Sequence, residues 1–172
     1  TTNLLYGLPT WAVSIASRQH GGTLAGVVYV PGLGVLYRAA AGHGASCNGE
    51  PLRCSGGTDL ATALVATGFS YHAAQRGRQG ELVARILPQV RDIRRFGSAA
   101  LDLCLVAAGH LDAYFERGLN PWDLAAGELI ARESGVVTTD FAGGPAVAGD
   151  VVAAPPGLHG ALLGLLRSGT DA

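Results

Sequence analysis

The stretch Tyr114-Phe-Glu-Arg-Gly-Leu-Asn-Pro-Trp-Asp-Leu-Ala-Ala-Gly-Glu-Leu-Ile130 decides the fold, because it joins a predicted strand to a predicted helix through a turn that carries two carboxylates. Apolar residues after Asp123 recur at spacings of three and four, which predicts a helix with Asp123 at its N-cap. The helix dipole favours an acidic side chain there, and from the first turn it can reach a ligand or a metal ion. A capping role alone is the commoner one for an isolated Asp at this place. The stretch by itself therefore leaves Asp123 open between a cap and a ligand.

The composition indicates a folded domain without a membrane span or a nucleic-acid surface. Hydrophobic residues make up 48% of the 172 residues and charged residues 15%, which argues against disorder. The apolar runs are shorter than the roughly 20 residues that cross a membrane. The net charge is −1, and the one dense basic spot, at Arg91, Arg94 and Arg95, is more typical of a solvated helix start than of a polyanion site.

Three cysteines, Cys47, Cys54 and Cys104, lack the paired spacing of a disulfide framework or a zinc site, and they fit a reducing cytoplasm. Asp102 and Cys104 fall within an amphipathic pattern at 98–108, where we expect local hydrogen bonding from Asp102 and core packing from Cys104.

The order of the predicted elements indicates an α/β protein, built as an α+β layered sandwich. Strands at 11–17, 24–30 and 35–38, followed by an Asn48-Gly49 hairpin, predict an antiparallel sheet. After residue 57, strands alternate with helices at 81–89, 98–108, 123–133 and 157–166, which predicts a mixed, largely parallel sheet. We expect an N-terminal antiparallel-sheet domain at 1–56 and an α/β domain at 57–172. The loops before Ser98 and before Asp123 should face the same crevice.

Three blocks of sequence together resemble the inositol monophosphatase family. They are Thr1-Thr2-Asn3, the run Arg95-Phe-Gly-Ser-Ala-Ala-Leu-Asp102, and Trp122-Asp123 followed two residues later by Ala125-Ala126. The resemblance implies a sugar-phosphatase-like fold and a phosphoric monoester hydrolase that uses Mg²⁺ to activate a water. The implied substrate is inositol-1-phosphate.

The resemblance also assigns roles to individual residues. Asp123 matches a Mg²⁺ ligand that also orients a substrate hydroxyl, and Thr1 matches a residue that holds the attacking water. Thr2 belongs to the turn whose backbone amides cradle the phosphate. Glu116 matches a contact to the inositol ring, and the pocket lining matches Gly97, Ser98 and Ala99.

One departure from the family pattern limits what this chain should do alone. In the family an Asp-Pro-Leu/Ile-Asp-Gly motif stands directly before the Thr that matches Thr1, and its aspartates and a Glu further upstream complete the metal site. Those residues are not in this sequence. We therefore expect negligible phosphatase activity and weak Mg²⁺ binding from this chain, and an active enzyme in the complete protein.

Alternatives to the inositol substrate remain open within the same fold: histidinol phosphate, a sugar bisphosphate or a 3′-phosphoadenosine nucleotide. The pair Asn120-Pro121 resembles the bacterial inositol monophosphatase type more than the nucleotide-specific branch. A non-catalytic protein-binding module is the alternative of a different class. The resemblance further implies a cytoplasmic homodimer without membrane association, and we expect no direct nucleic-acid binding.

Overall fold

The computed structural model describes residues 1–146 and 149–168, in which two five-stranded sheets and five α-helices are present. The helices are α1 (Thr2–Leu5), α2 (Ala73–Ile86), α3 (Ala99–Ala107), α4 (Pro121–Glu133) and α5 (Pro156–Arg167). None of them is long and apolar enough to cross a membrane.

The first sheet is an antiparallel meander, which confirms the prediction for this part of the chain. Its strands follow one another in sequence order: β1 (Val13–Gln19), β2 (Gly22–Val30), β3 (Val35–Ala40), β4 (Ala45–Cys47) and β5 (Glu50–Pro51). Burial alternates along β2 and β3, so that one face of the sheet packs inward.

The other face of this sheet carries an exposed apolar stripe. The register places Ile15 opposite Val27, and it places Tyr29 opposite both Val13 and Leu36. Directly paired residues share a face, so these five side chains lie together, and all of them are at least 36% exposed.

The second sheet is mixed, as predicted. Its order is β7 (Asp92–Arg94), β6 (Leu64–Thr67), β8 (Ala113–Arg117), β10 (Asp150–Ala154) and β9 (Val137–Thr139). β6 runs parallel to β7 and β8, whereas β10 runs antiparallel to β8 and β9. Four of the five strands therefore run in one direction, as predicted. β10 runs the opposite way, because the chain returns from β9 to β10 without a crossover helix.

Helices α3 and α4 pack against each other and join the two sheets. α4 contacts β1, β2 and β3 on one side and β9 on the other, and α3 packs on β8. Buried Cys104 lies in this core, as predicted. The first sheet ends at Pro51 and the second begins at Leu64, so the predicted domain boundary at 56/57 falls between them. The division into two folding units stays a prediction.

Helix α2 differs most from its expected range, since it begins eight residues before the predicted start at 81. The segment 73–80 is polar and contains two glycines, so it lacks an apolar stripe. Its buried residue is Gln79, whose Oε1 accepts a hydrogen bond of 2.7 Å from the Ser70 backbone. Polar burial of this kind leaves no hydrophobic periodicity in the sequence.

Candidate active site

Six of the seven predicted site residues line one pocket of about 420 Å³, namely Thr1, Gly97, Ser98, Ala99, Glu116 and Asp123. The expectation that the loops before Ser98 and Asp123 face one crevice is thereby confirmed. Thr2 is not part of the lining; its Oγ1 lies 3.3 Å from the Tyr71 hydroxyl at the pocket rim. Two wider grooves, of about 520 and 610 Å³, contain none of the predicted residues.

Asp123 lies in the first turn of α4, but it is not the N-cap that we expected. The cap is Asn120, Pro121 begins the helix, and Asp123 is the third helical residue. Its Oδ2 accepts hydrogen bonds from the Asn120 backbone at 3.0 Å and from the Asn120 side-chain amide at 3.3 Å. This arrangement has a physical basis, since proline is favoured at the first helical position and a capping box places the acidic residue third. Both hydrogen bonds end on Oδ2, so that Oδ1 is not used by the cap.

Asn3 brings the two backbone walls of the pocket together. It is 6% exposed, and its side-chain amide donates to the carbonyl oxygens of Thr10 at 2.6 Å and Phe96 at 2.7 Å. Gly97, next to Phe96, has a φ of +87°, which favours glycine, and a Cβ there would also press on Asn3. This contact sets Thr1, at the start of α1, beside the loop that leads into α3.

Glu116 occupies the carboxyl end of β8, beside the carboxyl end of the parallel strand β6. Thr67 pairs with Phe115, so Gly68 lies next to Glu116 across the ladder. The buried Tyr114, two residues earlier on β8, donates its hydroxyl hydrogen to Glu116 Oε2. The partly buried Glu116 carboxylate is therefore held at the floor of the pocket.

The pocket contains more acidic than basic groups. Burial raises the pKa of the Glu116 carboxyl, while the hydrogen bond from Tyr114 and the charge of Arg95 lower it and the charge of Asp123 raises it. Behind the pocket, Asp102 on α3 is 1% exposed, and its Oδ1 has no hydrogen-bond partner in the described structure. Burial, and then the charge of Glu116, raise the pKa of the Asp102 carboxyl well above its usual range. The hydrogen bonding expected of Asp102 is thus incomplete.

Several residues that line this pocket are not among those predicted from the sequence. Arg95, expected to belong to a solvated basic spot, is a lining residue, as are Gly68, Tyr71 and Trp122. One signal was present for Gly68, since it directly follows a buried strand, and ligands gather at the carboxyl ends of neighbouring parallel strands.

The described residues do not form a complete metal site. Among residues 1–146 and 149–168, no group of three or more His, Cys, Asp or Glu side chains could hold a metal ion. Asp123 and Glu116 are the two carboxylates of the pocket lining, and no third His, Cys, Asp or Glu among the described residues joins them, whereas Mg²⁺ in proteins is held by carboxylates together with waters and other oxygens. The donor set of this chain is therefore incomplete for Mg²⁺.

The model of the inositol monophosphatase family matches residues 1–170. The chain belongs to this family. A relative from Mycobacterium tuberculosis, described as "Inositol-1-monophosphatase SuhB", is 48% identical over 174 residues, which cover 97% of this chain and 59% of the relative. The solved structure of Mycobacterium tuberculosis SuhB superposes with a TM-score of 0.89 at 47% identity and covers 96% of this chain and 67% of that one.

A second relative carries a different description. The Escherichia coli protein described as "Nus factor SuhB" is 45% identical over 170 residues, which cover 97% of this chain and 64% of the relative. The chain thus spans about three fifths of the length of the curated relatives that it matches.

Proposed function

We propose that the complete protein hydrolyses phosphate monoesters, with inositol-1-phosphate as its substrate, and that this chain supplies the substrate-facing part of the active site. The observation that carries the proposal is the convergence of Glu116, Asp123, Thr1 and the loop Gly97–Ala99 on one pocket. Family membership and the relative described as an inositol-1-monophosphatase support it.

The geometry suits a small polyhydroxylated phosphate ester. In this proposal the Glu116 carboxylate accepts hydrogen bonds from ring hydroxyls, and Asp123 Oδ1, which the cap does not use, receives a hydroxyl or a cation; the presence of both residues in the pocket lining supports these roles. Ser98 lies at the N-terminus of α3, where backbone N–H groups are not used by the helix and suit anionic oxygen atoms. Thr1 lies across the pocket as the proposed holder of the attacking water.

Magnesium is part of this proposal in the complete protein. When bound, it would polarise the phosphate and lower the pKa of the attacking water, with Asp123 as its ligand from this chain. Since the donor set of the described residues is incomplete, we predict weak Mg²⁺ binding and negligible phosphate release by this chain alone.

To test the proposal, the segment that precedes Thr1 in the family, with its Asp-Pro-Leu/Ile-Asp-Gly motif, is joined to Thr1. Phosphate release by this extended protein is then measured in the presence of Mg²⁺. Inositol-1-phosphate should be hydrolysed faster than histidinol phosphate, a sugar bisphosphate or a 3′-phosphoadenosine nucleotide.

The variant Asp123→Asn should lose at least about a hundredfold in rate, because a metal-ligand charge contributes several kcal/mol to the stability of the transition state. Asp59→Asn is the matched control, since Asn also caps the short turn at Leu60–Thr62. Wild-type rates in Asp123→Asn would overturn the assignment of Asp123 as metal ligand.

A protein-binding role is the second candidate, and the relative described as a Nus factor favours it. In that case the extended protein should bind a component of the transcription machinery with the same affinity in wild type and in Asp123→Asn. Phosphate release that falls with Asp123→Asn while partner binding is kept would show that the two roles are separate.

A cytoplasmic location and a homodimer are also proposals. All three cysteines are free thiols in the described structure, which suits a reducing compartment. The exposed apolar stripe on the first sheet could be covered by association. Sedimentation velocity of the extended protein tests the dimer.

A further inference from the structure

The Glu116 carboxylate lies against a strand that has no side chain at the point of contact. Gly68 is buried at the end of β6, and a Cβ built on it would overlap the carboxyl carbon and both oxygens of Glu116. The overlap would involve the carboxylate itself, including Oε2, the oxygen that accepts the hydrogen bond from the Tyr114 hydroxyl. A glycine at position 68 is therefore required for Glu116 to lie where it does.

The hydroxyl of Tyr114 is a fixed donor to the same carboxylate. Tyr114 is fully buried, so its ring cannot move aside without opening the core, and its hydroxyl hydrogen bonds to Glu116 Oε2. A buried tyrosine hydroxyl needs a polar partner, and here the partner is a site residue. The close approach of the Gly68 backbone and the hydrogen bond from Tyr114 leave the Glu116 side chain little rotamer freedom.

The charged side chains near Glu116 do not fix its position as the hydrogen bond from Tyr114 does. Arg95, on the loop before α3, attracts the carboxylate, while Asp123 on α4 repels it and Asp102 on α3 is affected by its charge. In the described structure the hydrogen bond to the Glu116 side chain comes from Tyr114.

We propose that Gly68 and Tyr114 are positioning residues that fix the Glu116 carboxylate for recognition of substrate hydroxyls. This inference rests on the proposed function, because it assigns Glu116 to the hydroxyl-bearing part of the ester. A free glutamate side chain loses rotamer entropy when it binds a ligand, whereas Glu116 has lost that freedom on folding. The pair Gly68 and Tyr114 therefore favours esters of polyhydroxylated rings over esters that lack hydroxyls.

The kinetic test compares two substrates in the protein extended at Thr1. In Tyr114→Phe the KM for inositol-1-phosphate should rise about three- to tenfold, the cost of ordering one flexible side chain. The KM for p-nitrophenyl phosphate, which has no ring hydroxyl, should stay unchanged. Gly68→Ala should show the same split with a larger effect. Equal losses on both substrates, or no change on either, would overturn the proposal.

A second measurement uses this chain and needs no activity. Carbon-13 NMR titration of the Glu116 carboxyl should show a higher pKa in Tyr114→Phe, because the hydrogen bond from Tyr114 favours the ionised carboxylate. An unchanged or lower pKa would show that Tyr114 does not hold Glu116. If the extended wild type released no phosphate, the proposed function would fail, whereas the titration would still decide whether Tyr114 holds Glu116.

Matched controls separate positioning from general destabilisation. Tyr29→Phe removes a tyrosine hydroxyl from the exposed face of the first sheet, and Gly77→Ala adds a methyl group to α2 where nothing lies within 4 Å. Neither should change the substrate preference or the Glu116 titration.

Discussion

At the level of single residues, Asp102 is a buried carboxyl whose Oδ1 has no hydrogen-bond partner among the described residues. Its neighbours are the Ser98 backbone, Arg95 on the preceding loop and Glu116 on β8. Burial raises the pKa of the Asp102 carboxyl well above its usual value of 3.8. At pH values between 3.8 and the raised pKa, the Asp102 carboxyl is protonated in the folded chain and ionised in the unfolded chain. Asp102 therefore costs stability as the pH rises.

The variant Asp102→Asn should gain stability relative to wild type as the pH is raised from 4.5 to 7.5, because Asn has nearly the same shape and no charge to bury. Urea unfolding at the two pH values measures the difference. Asp59→Asn makes the same chemical change at an exposed cap and is the matched control. A variant that became relatively less stable at the higher pH would mean that Asp102 is ionised and paired in the fold.

At the level of elements, the close approach of β2 to α4 depends on one missing side chain. A Cβ on Gly26 would lie 2.9 Å from Ala126 Cα and 3.1 Å from Ala126 O, so the strand and the helix would have to separate. Gly26→Ala should lower the free energy of unfolding by about 1–3 kcal/mol, the usual cost of overpacking.

The control for this substitution is Gly160→Ala in α5, where nothing lies within 4 Å. It should raise the free energy of unfolding by up to about 1 kcal/mol, since alanine is the better helix former. Urea unfolding of both variants gives the comparison, and similar values for the two would contradict a tight contact at Gly26.

The elements also show how far the sequence leads. Helix α3 was predicted within one residue at each end, because its apolar spacing and the left-handed Gly109 after it are local signals. The start of α2 was missed because Gln79 forms its buried contact with a polar group. In the pocket, the loops of Ser98 and Asp123 could be placed from sequence. The contact of Gly68 with Glu116 could not be predicted, because it forms only when strands β6 and β8 pair. The two residues are 48 positions apart in the sequence.

At the level of the whole molecule, the exposed apolar stripe of the first sheet dominates one surface. Replacing the opposed pair Ile15 and Val27 by threonine keeps β-branched side chains but removes apolar area. Ile15→Thr/Val27→Thr should lower the fluorescence of a hydrophobic dye bound to the native chain, while its free energy of unfolding should change by less than about 1 kcal/mol.

The control for the stripe is Leu33→Ser, which removes an exposed leucine from the turn Pro31–Leu33. It should leave most of the dye fluorescence in place. Equal loss in both variants would mean that the dye reports scattered apolar residues and not the stripe.

The hydrogen bond from Asn3 to Phe96 joins residues that are 93 positions apart in the sequence. This sequence separation affects the order in which parts of the chain can fold. The first sheet pairs neighbouring strands and can form early, while closing so long a loop carries a large entropic cost. During synthesis the pocket must wait until Phe96, Glu116 and Asp123 have all been added to the chain. The pocket is therefore completed later than the first sheet, and only after the chain has been synthesised at least as far as Asp123.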